Sequence, residues 1–289
     1  MSCHGGMIYE KDPVMNRSPI LLSILVSIAS FFLFRNRVLV FLDEKDLSVP
    51  NYSGNKVRTG GGLLLLFPDL LAAVPALFVV RQEDVAFYIL MILGLTFCGL
   101  LDDVLGDSTS RGLSGHIERF LKGGLSTGWI KAFTGGLIGI LLAWYRYQNF
   151  LLFLLDSLSF ALCVNLVNLF DLRPGRAIKG FLFALVPVML FAGFREMWSV
   201  LPVLVLLVFY LKGEMEEAYM LGDTGANLLG GILGFYEVIG LPTKGKIILT
   251  IFLVAFHVLA EFQSFSKWID LIPILKAIDR LGQKKESKR

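Results

Sequence analysis

Charge is scarce in this 289-residue chain. Only 18% of its residues are Asp, Glu, Lys or Arg, and the net charge is +3. That balance is too weak to point to nucleic acid as a partner. Cysteine is scarcer still: Cys3, Cys98 and Cys163. The last two lie inside apolar runs, which excludes a disulfide scaffold and reads them as small hydrophobes. The three histidines, His4, His116 and His257, lack the Cys/His spacing of a zinc site. Polar surface is in short supply too. The chain is 55% hydrophobic, with a mean hydropathy of +0.68, against about 45–50% apolar residues in an ordinary soluble domain. One soluble core cannot hold that excess, and a disordered chain would not carry it. The composition indicates a multi-span membrane protein.

A helix needs about 20 mostly apolar residues to cross a bilayer core. Nine segments are predicted as spans: Ile20–Phe34, Leu63–Val80, Val85–Leu101, Ile130–Tyr145, Phe150–Phe170, Phe181–Phe194, Trp198–Leu211, Gly222–Leu241 and Ile247–Phe262. The expected fold class is therefore all-α, a polytopic membrane helix bundle of about nine transmembrane helices. Placing the segment after the first span in the cytoplasm puts 20 of the 27 Lys and Arg residues inside. The positive-inside rule then predicts N-out/C-in, in the cytoplasmic membrane. The first span is not read as a cleaved secretory signal, because cleavage would leave the basic 35–58 loop outside and no small-residue cleavage site follows the run. The expected organisation is an extracytoplasmic segment over 1–18, a membrane-embedded domain over 19–263 and a cytoplasmic amphipathic and basic tail over 264–289. Trp268, Ile269, Ile272, Leu275, Ile278 and Leu281 space the tail as an amphipathic helix, lying either on the membrane surface or on the protein's own loops.

Four acids sit where acids are costly. Asp102 and Asp103 end the third span, Asp171 ends the fifth and Asp223 begins the eighth, all at the cytoplasmic boundary in this orientation. Any one of them reads equally as a helix cap, and Asp223 before Thr-Gly has the form of an N-cap. The Asp102–Asp103 pair lies at a helix C-terminus, the unfavourable pole for negative charge, which weakens the capping reading. Asn165, Asn168 and Asp171 recur at i, i+3 and i+6, a polar stripe on an otherwise apolar helix. Such a stripe faces a cavity, or it hydrogen-bonds a neighbouring helix for about 0.6–2 kcal/mol per contact. Clustered carboxylates and amide oxygens are hard ligands suited to Mg²⁺, which commonly takes one or two carboxylates together with water and substrate phosphate. Lys56–Gly62, Lys122–Gly124 and Arg173–Lys179 place glycine and base nearby, as phosphate contacts or as plain topology signals.

Four elements occur in order: Pro50-Asn-Tyr with Arg58-Thr-Gly-Gly-Gly, Gly99-Leu-Leu-Asp-Asp, Asn165-Leu-Val-Asn-Leu-Phe-Asp, and Gly222-Asp-Thr-Gly-Ala-Asn with Gly230-Gly. Together they resemble the polyprenyl-phosphate N-acetylhexosamine-1-phosphate transferases, which include the phospho-N-acetylmuramoyl-pentapeptide translocases. The resemblance covers about Asp43 to Phe262. It implies transfer of a sugar-1-phosphate from a UDP-sugar donor to polyprenyl phosphate with release of UMP, Mg²⁺ dependence, and a role in cell-envelope glycan synthesis. It implies Asp102, Asp103 and Asp171 as catalytic residues. Asp223 and Asp171 are implied at the metal, and Asn165, Asn168, Arg173, Arg176, Lys122 and Thr59 in substrate binding. The chain departs from the family in three places. No base follows Asp103 closely, Asp171-Leu-Arg-Pro-Gly replaces a two-aspartate motif, and the histidine-rich loop is absent around Glu261–Lys267. A catalytically impaired relative that binds polyprenyl phosphate or regulates an envelope pathway is the alternative. An ion-coupled transporter fits less well, since the acids lie at one edge and no repeat is visible. The sequence leaves homodimerisation open.

Overall fold

The computed structural model describes residues 18–106, 127–146, 149–192, 195–262, 269 and 271–282. Those residues form an all-helical protein. The helices are α1 (Ser18–Glu44), α2 (Leu63–Ala73), α3 (Gln82–Leu105), α4 (Thr127–Arg146), α5 (Phe150–Phe170), α6 (Arg176–Ala192), α7 (Leu201–Met215), α8 (Gly222–Gly240), α9 (Thr243–Phe262) and α10 (Pro273–Arg280). A short antiparallel hairpin, β1 (Ser48–Pro50) and β2 (Lys56–Arg58), joins α1 to α2 with Val49 opposite Val57.

Local sequence sets several boundaries. Asn149 caps α5, its side-chain oxygen accepting from the Leu151 and Leu152 amides. Glu83 and Asp84 occupy the first turn of α3, where negative charge is favoured. Pro75 ends the α2 segment as a 3-10 turn over Pro75–Phe78, because it cannot continue the helical ladder.

Six helical segments are long and apolar enough to cross a membrane: Ser18–Glu44, Gln82–Leu105, Thr127–Arg146, Phe150–Phe170, Met197–Met215 and Thr243–Phe262. The predicted second span is a broken helix, and the first helix runs ten residues beyond its predicted end at Phe34. The predicted sixth and eighth spans fall on α6 and α8, outside those six segments. Helix α8 is the axis of the bundle. Every residue from Thr224 to Val238 is buried, against α2, α3, α5 and α6. Its glycines permit that approach: a Cβ on Gly230 would lie 2.6 Å from the Val164 Cα of α5.

Helix α9 lies at the periphery, burying only Lys246, Thr250 and Leu253. Lys246 pins it. The ammonium donates at 2.6 Å to Asp156 of α5 and at 2.6 Å to the Val238 carbonyl of α8. Glu237 lies beside the pair and accepts from Ser159 at 2.7 Å. All four side chains are buried. A charge among apolar residues is tolerable only when paired in this way.

Candidate functional site

Three of the four sequence elements meet where α3 ends and α8 begins. The chain before α8 pairs with the segment after β2. Met220 N–H donates to the Arg58 carbonyl at 2.8 Å, Gly61 N–H to Met220 at 3.0 Å and Gly62 N–H to Leu221 at 3.1 Å. The backbones touch, and a Cβ on Gly62 would lie 2.2 Å from the Gly225 nitrogen. On Gly99 of α3 it would lie 2.3 Å from the Asp223 carbonyl oxygen. The Thr-Gly-Gly-Gly run is therefore a packing device: its Gly61 and Gly62 amides are spent on the neighbouring chain and do not cradle phosphate. Arg58 braces the same junction, binding Asp43 through two nitrogens at 2.5 and 2.9 Å and the Ala218 carbonyl at 2.9 Å. The Asp43 hydrogen bonds raise its pKa above the ordinary value, partly opposed by burial.

Asp103 is the cap of α8, supplied from another helix. The first amides of a helix need acceptors, and Leu221 offers no side-chain cap. Asp103 accepts from the Asp223 amide at 3.0 Å, the Thr224 amide at 3.0 Å, the Thr224 hydroxyl at 2.5 Å and the Thr59 hydroxyl at 3.1 Å. Gly222, at φ +67°, makes the turn, and a Cβ there would meet the Asp103 carboxylate at 2.6 Å. Thr59, buried, is spent on the same carboxylate. Asp103 and Thr59 are thus positioning groups behind the site.

Asp102 turns the other way. It lines a cleft of about 440 Å³ with Lys131 of α4, Asn165 and Asn168 of α5, Asp223 of α8 and Glu261 of α9. Asp102 and Asp223 are within hydrogen-bond reach of each other, and Thr127 bonds Asp102. The Lys131 ammonium pairs with Asp223 Oδ1. No local motif marks Lys131 or Glu261; their place in the cleft depends on how α4 and α9 pack. One turn along α8, Asn227 is fully buried, and its amide has no hydrogen-bond partner among the described residues.

Asp171 caps the C-terminal end of α5, its amide donating to the Asn168 carbonyl at 3.2 Å. It does not line the cleft, yet it feels it. Burial first, then the charges of Glu214, Asp223 and Asp103, hold its carboxyl well above the usual carboxylate range, while Lys131 opposes them. Arg173 and Arg176 are not in the cleft either; both face Asp279 of α10. Lys122 lies outside the described residues.

The donor set suits a hard divalent cation. Asp102 and Asp223 would be its two carboxylates, as Mg²⁺ sites commonly require. Among the described residues no three Asp, Glu, His or Cys side chains gather into a metal group. Water and substrate phosphate would complete such a shell, as is usual for Mg²⁺. On the opposite side of α5, an apolar groove of about 510 Å³ runs between α6 and α9, bordered by Phe170, Phe183, Ile248 and Phe256, with Lys244 at its rim. No protein-family model matches the chain and no curated protein matches it, so the family resemblance rests on the four sequence elements alone.

Proposed function

We propose that the chain is a membrane phosphoglycosyl transferase, moving a sugar-1-phosphate from a UDP-sugar to polyprenyl phosphate and releasing UMP. The observation that carries this reading is the convergence of Asp102, Asp223, Asn165 and Asn168, from three separate sequence elements, with Lys131 on one cleft. In the proposed topology nine helical segments cross or enter the membrane, N-out/C-in, and the cleft faces the cytoplasm of the cell membrane.

The lipid phosphate has a second pKa near 6, so it is largely dianionic at neutral pH and needs little help from a base. A phosphate oxygen attacks the sugar-bearing phosphorus of the donor. The new P–O bond forms in line as the bridging P–O bond breaks, and UMP leaves with the electron pair. No aspartyl-phosphate is required, and isolation of one would refute this step. Alignment and charge compensation are the remaining tasks. Lys131 offsets phosphate charge. Asn165 and Asn168 orient the donor with their amides. Asp102 and Asp223 would hold Mg²⁺, which when bound supplies electrostatic stabilisation of the diphosphate. Asp103 and Thr59 fix the start of α8 and with it Asp223. The apolar groove beside α5 is a surface suited to an isoprenoid chain.

The engagement of Arg173 and Arg176 with Asp279 favours a second reading, a non-catalytic binder of polyprenyl phosphate. One experiment separates the two: UMP release by purified protein given undecaprenyl phosphate, Mg²⁺ and a panel of UDP-sugars including UDP-GlcNAc and UDP-MurNAc-pentapeptide. Release that needs both lipid and Mg²⁺, and that is lost in Asp223→Asn, supports the transferase. Lipid binding with no release from any donor, beside an active control enzyme, supports the binder.

A further inference from the structure

Outside the cleft, three cations gather around Asp279, two on its carboxylate and one on its backbone carbonyl. Arg173 comes from the turn between α5 and α6, Arg176 opens α6 and Lys179 lies one turn into it. Asp279 of α10 sits among them. Arg176 Nε and Nη2 donate to its two oxygens at 2.7 and 2.8 Å. Arg173 Nη1 lies 3.7 Å from it. Lys179 Nζ donates at 2.8 Å to the carbonyl of Asp279 and at 2.8 Å to that of Leu281. The Arg176 and Asp279 side chains are each only 4% exposed. Among the described residues Glu214 of α7 also faces Lys179, and it is tied to the Gly175 and Leu221 amides.

The charged contact ties the tail helix to the start of α6, and Ile269 ahead of it is buried. Apolar Leu271, Ile274 and Leu281 face outward, at 77%, 72% and 71% exposed. A two-pronged guanidinium contact suits a phosphate as well as it suits a carboxylate. The cradle also stands at the first residue of a 17-residue helix, the pole that attracts anions.

We propose that Arg173, Arg176 and Lys179 form a site for a phosphoryl anion, and that Asp279 fills it as a displaceable strap, so that the C-terminal helix and an incoming phosphate compete for the same cradle. The proposal rests on reading the adjacent cleft as a phosphate-handling site. Once released, the helix keeps a berth at the membrane, where its apolar row enters the interface and Lys276 and Arg280 meet the headgroups.

The test uses the full chain in phosphatidylcholine nanodiscs, with Cys3→Ser and a nitroxide label at Ala277→Cys; Cys98 and Cys163 are buried. Inorganic pyrophosphate is titrated at constant ionic strength while the label's mobility is recorded. Saturable mobilisation is expected. In Asp279→Asn the label should be mobile at the outset, and pyrophosphate should bind at least about tenfold more tightly, because an in-cis competitor has been removed. Nanodiscs containing phosphatidic acid form the second arm. Mobilisation there without pyrophosphate assigns the ligand to a lipid headgroup, and mobilisation by pyrophosphate alone assigns it to a soluble phosphate. An immobile label in both arms of the unmutated protein overturns the proposal, whatever the variants do. UMP release is no part of the readout, so the strap and the transferase reading fail separately.

Discussion

Replacing Asp103 with Asn, and separately Asp102 with Asn, tests whether two adjacent aspartates have unlike jobs. Asp103 accepts four hydrogen bonds, and each of its oxygens faces one backbone N–H at 3.0 Å. An asparagine amide in either orientation turns an NH₂ group against one of those donors. At least one bond to a charged acceptor is lost, worth about 1.5–3 kcal/mol, and a buried N–H is stranded. Loss of a helix cap by itself costs about 0.5–2 kcal/mol. The expected destabilisation for Asp103→Asn is about 2–4 kcal/mol. At roughly 2 °C per kcal/mol for a long chain, Tm should fall by roughly 4–8 °C. Asp102→Asn removes one of two neighbouring carboxyls from the cleft, so Tm should hold or rise. UMP release should nevertheless fall by about 100-fold or more if Asp102 stabilises charge in the reaction. Thermal unfolding of both variants in detergent, beside the UMP assay, reads out the two effects. An unchanged Tm for Asp103→Asn with a lowered one for Asp102→Asn would refute the division of labour.

Gly99→Ala would drive a methyl group to 2.3 Å from the Asp223 carbonyl oxygen. Because that neighbour is backbone, the variant should lose about 1–3 kcal/mol and shift Asp223, seen as a lower Tm together with a weaker Mg²⁺ response of UMP release. Lys246→Met leaves Asp156 and Glu237 buried without their cation and should cost about 3–5 kcal/mol. Adding Asp156→Asn should recover much of that loss in the same melting assay, and no recovery would mean that the pair is not what pins α9. Tail docking has a predictable pH limit. Burial alone would raise the Asp279 carboxyl, but Arg176 first, then Arg173 and Lys179, hold it below its ordinary value. A depressed carboxylate stabilises above its unfolded pKa of about 3.9 and loses that contribution as pH falls through the folded value. The Ala277 label should stay immobile from neutral pH down to about 5 and loosen only below about 3.9; loosening near neutrality would contradict the Arg176–Asp279 contact.

Apolar runs announce helices, so each of the nine expected segments falls on a helix, and Phe150–Phe170 matches α5 at both ends. Among the described residues, however, length and composition alone mark only six segments as able to cross a membrane. Helix α8 shows why. It is rich in glycine and polar at its start, because it contacts other helices on every side, so its burial is a property of the bundle more than of its own hydropathy. In the site, the Asn165–Asn168 stripe does line a cavity, because a period near 3.6 places i and i+3 on one face. Asp171 continues that stripe in sequence, but the helix ends at Phe170 and the stripe ends with it. Asp102 and Asp103 read as a pair, yet neighbours on a helix point about 100° apart, so one faces the cleft and the other faces α8. Lys131 and Glu261, and likewise Asp156, Glu237 and Lys246, are lone charges far apart in sequence. No local spacing joins them, and only helix packing does.

The placement of Asp102 and Asp103 at the negative end of α3 is a puzzle for the sequence taken alone, and the fold supplies its physical reason. The C-terminus of α3 abuts the N-terminus of α8, so acids at the wrong pole of one helix lie at the right pole of the next. Asp103 takes that benefit in full through two α8 amides and two hydroxyls, and no bonding capacity is left over for chemistry. Asp102 and Asp223 do not share those donors. Among the described residues Lys131 is the one cation lining the cleft, against three acids, Asp102, Asp223 and Glu261. A cleft so composed is short of positive charge before any anionic substrate arrives. A nucleotide diphosphate would worsen the deficit unless it brought a divalent cation with it. Under the proposed transferase reading, the balance among the described residues favours entry of the donor as its Mg²⁺ complex. On that account Lys131→Met, by deepening the deficit, should raise the Mg²⁺ concentration needed for half-maximal UMP release more than it raises the KM for the UDP-sugar. An equal rise in both would place Lys131 on the substrate alone and remove this argument for the metal.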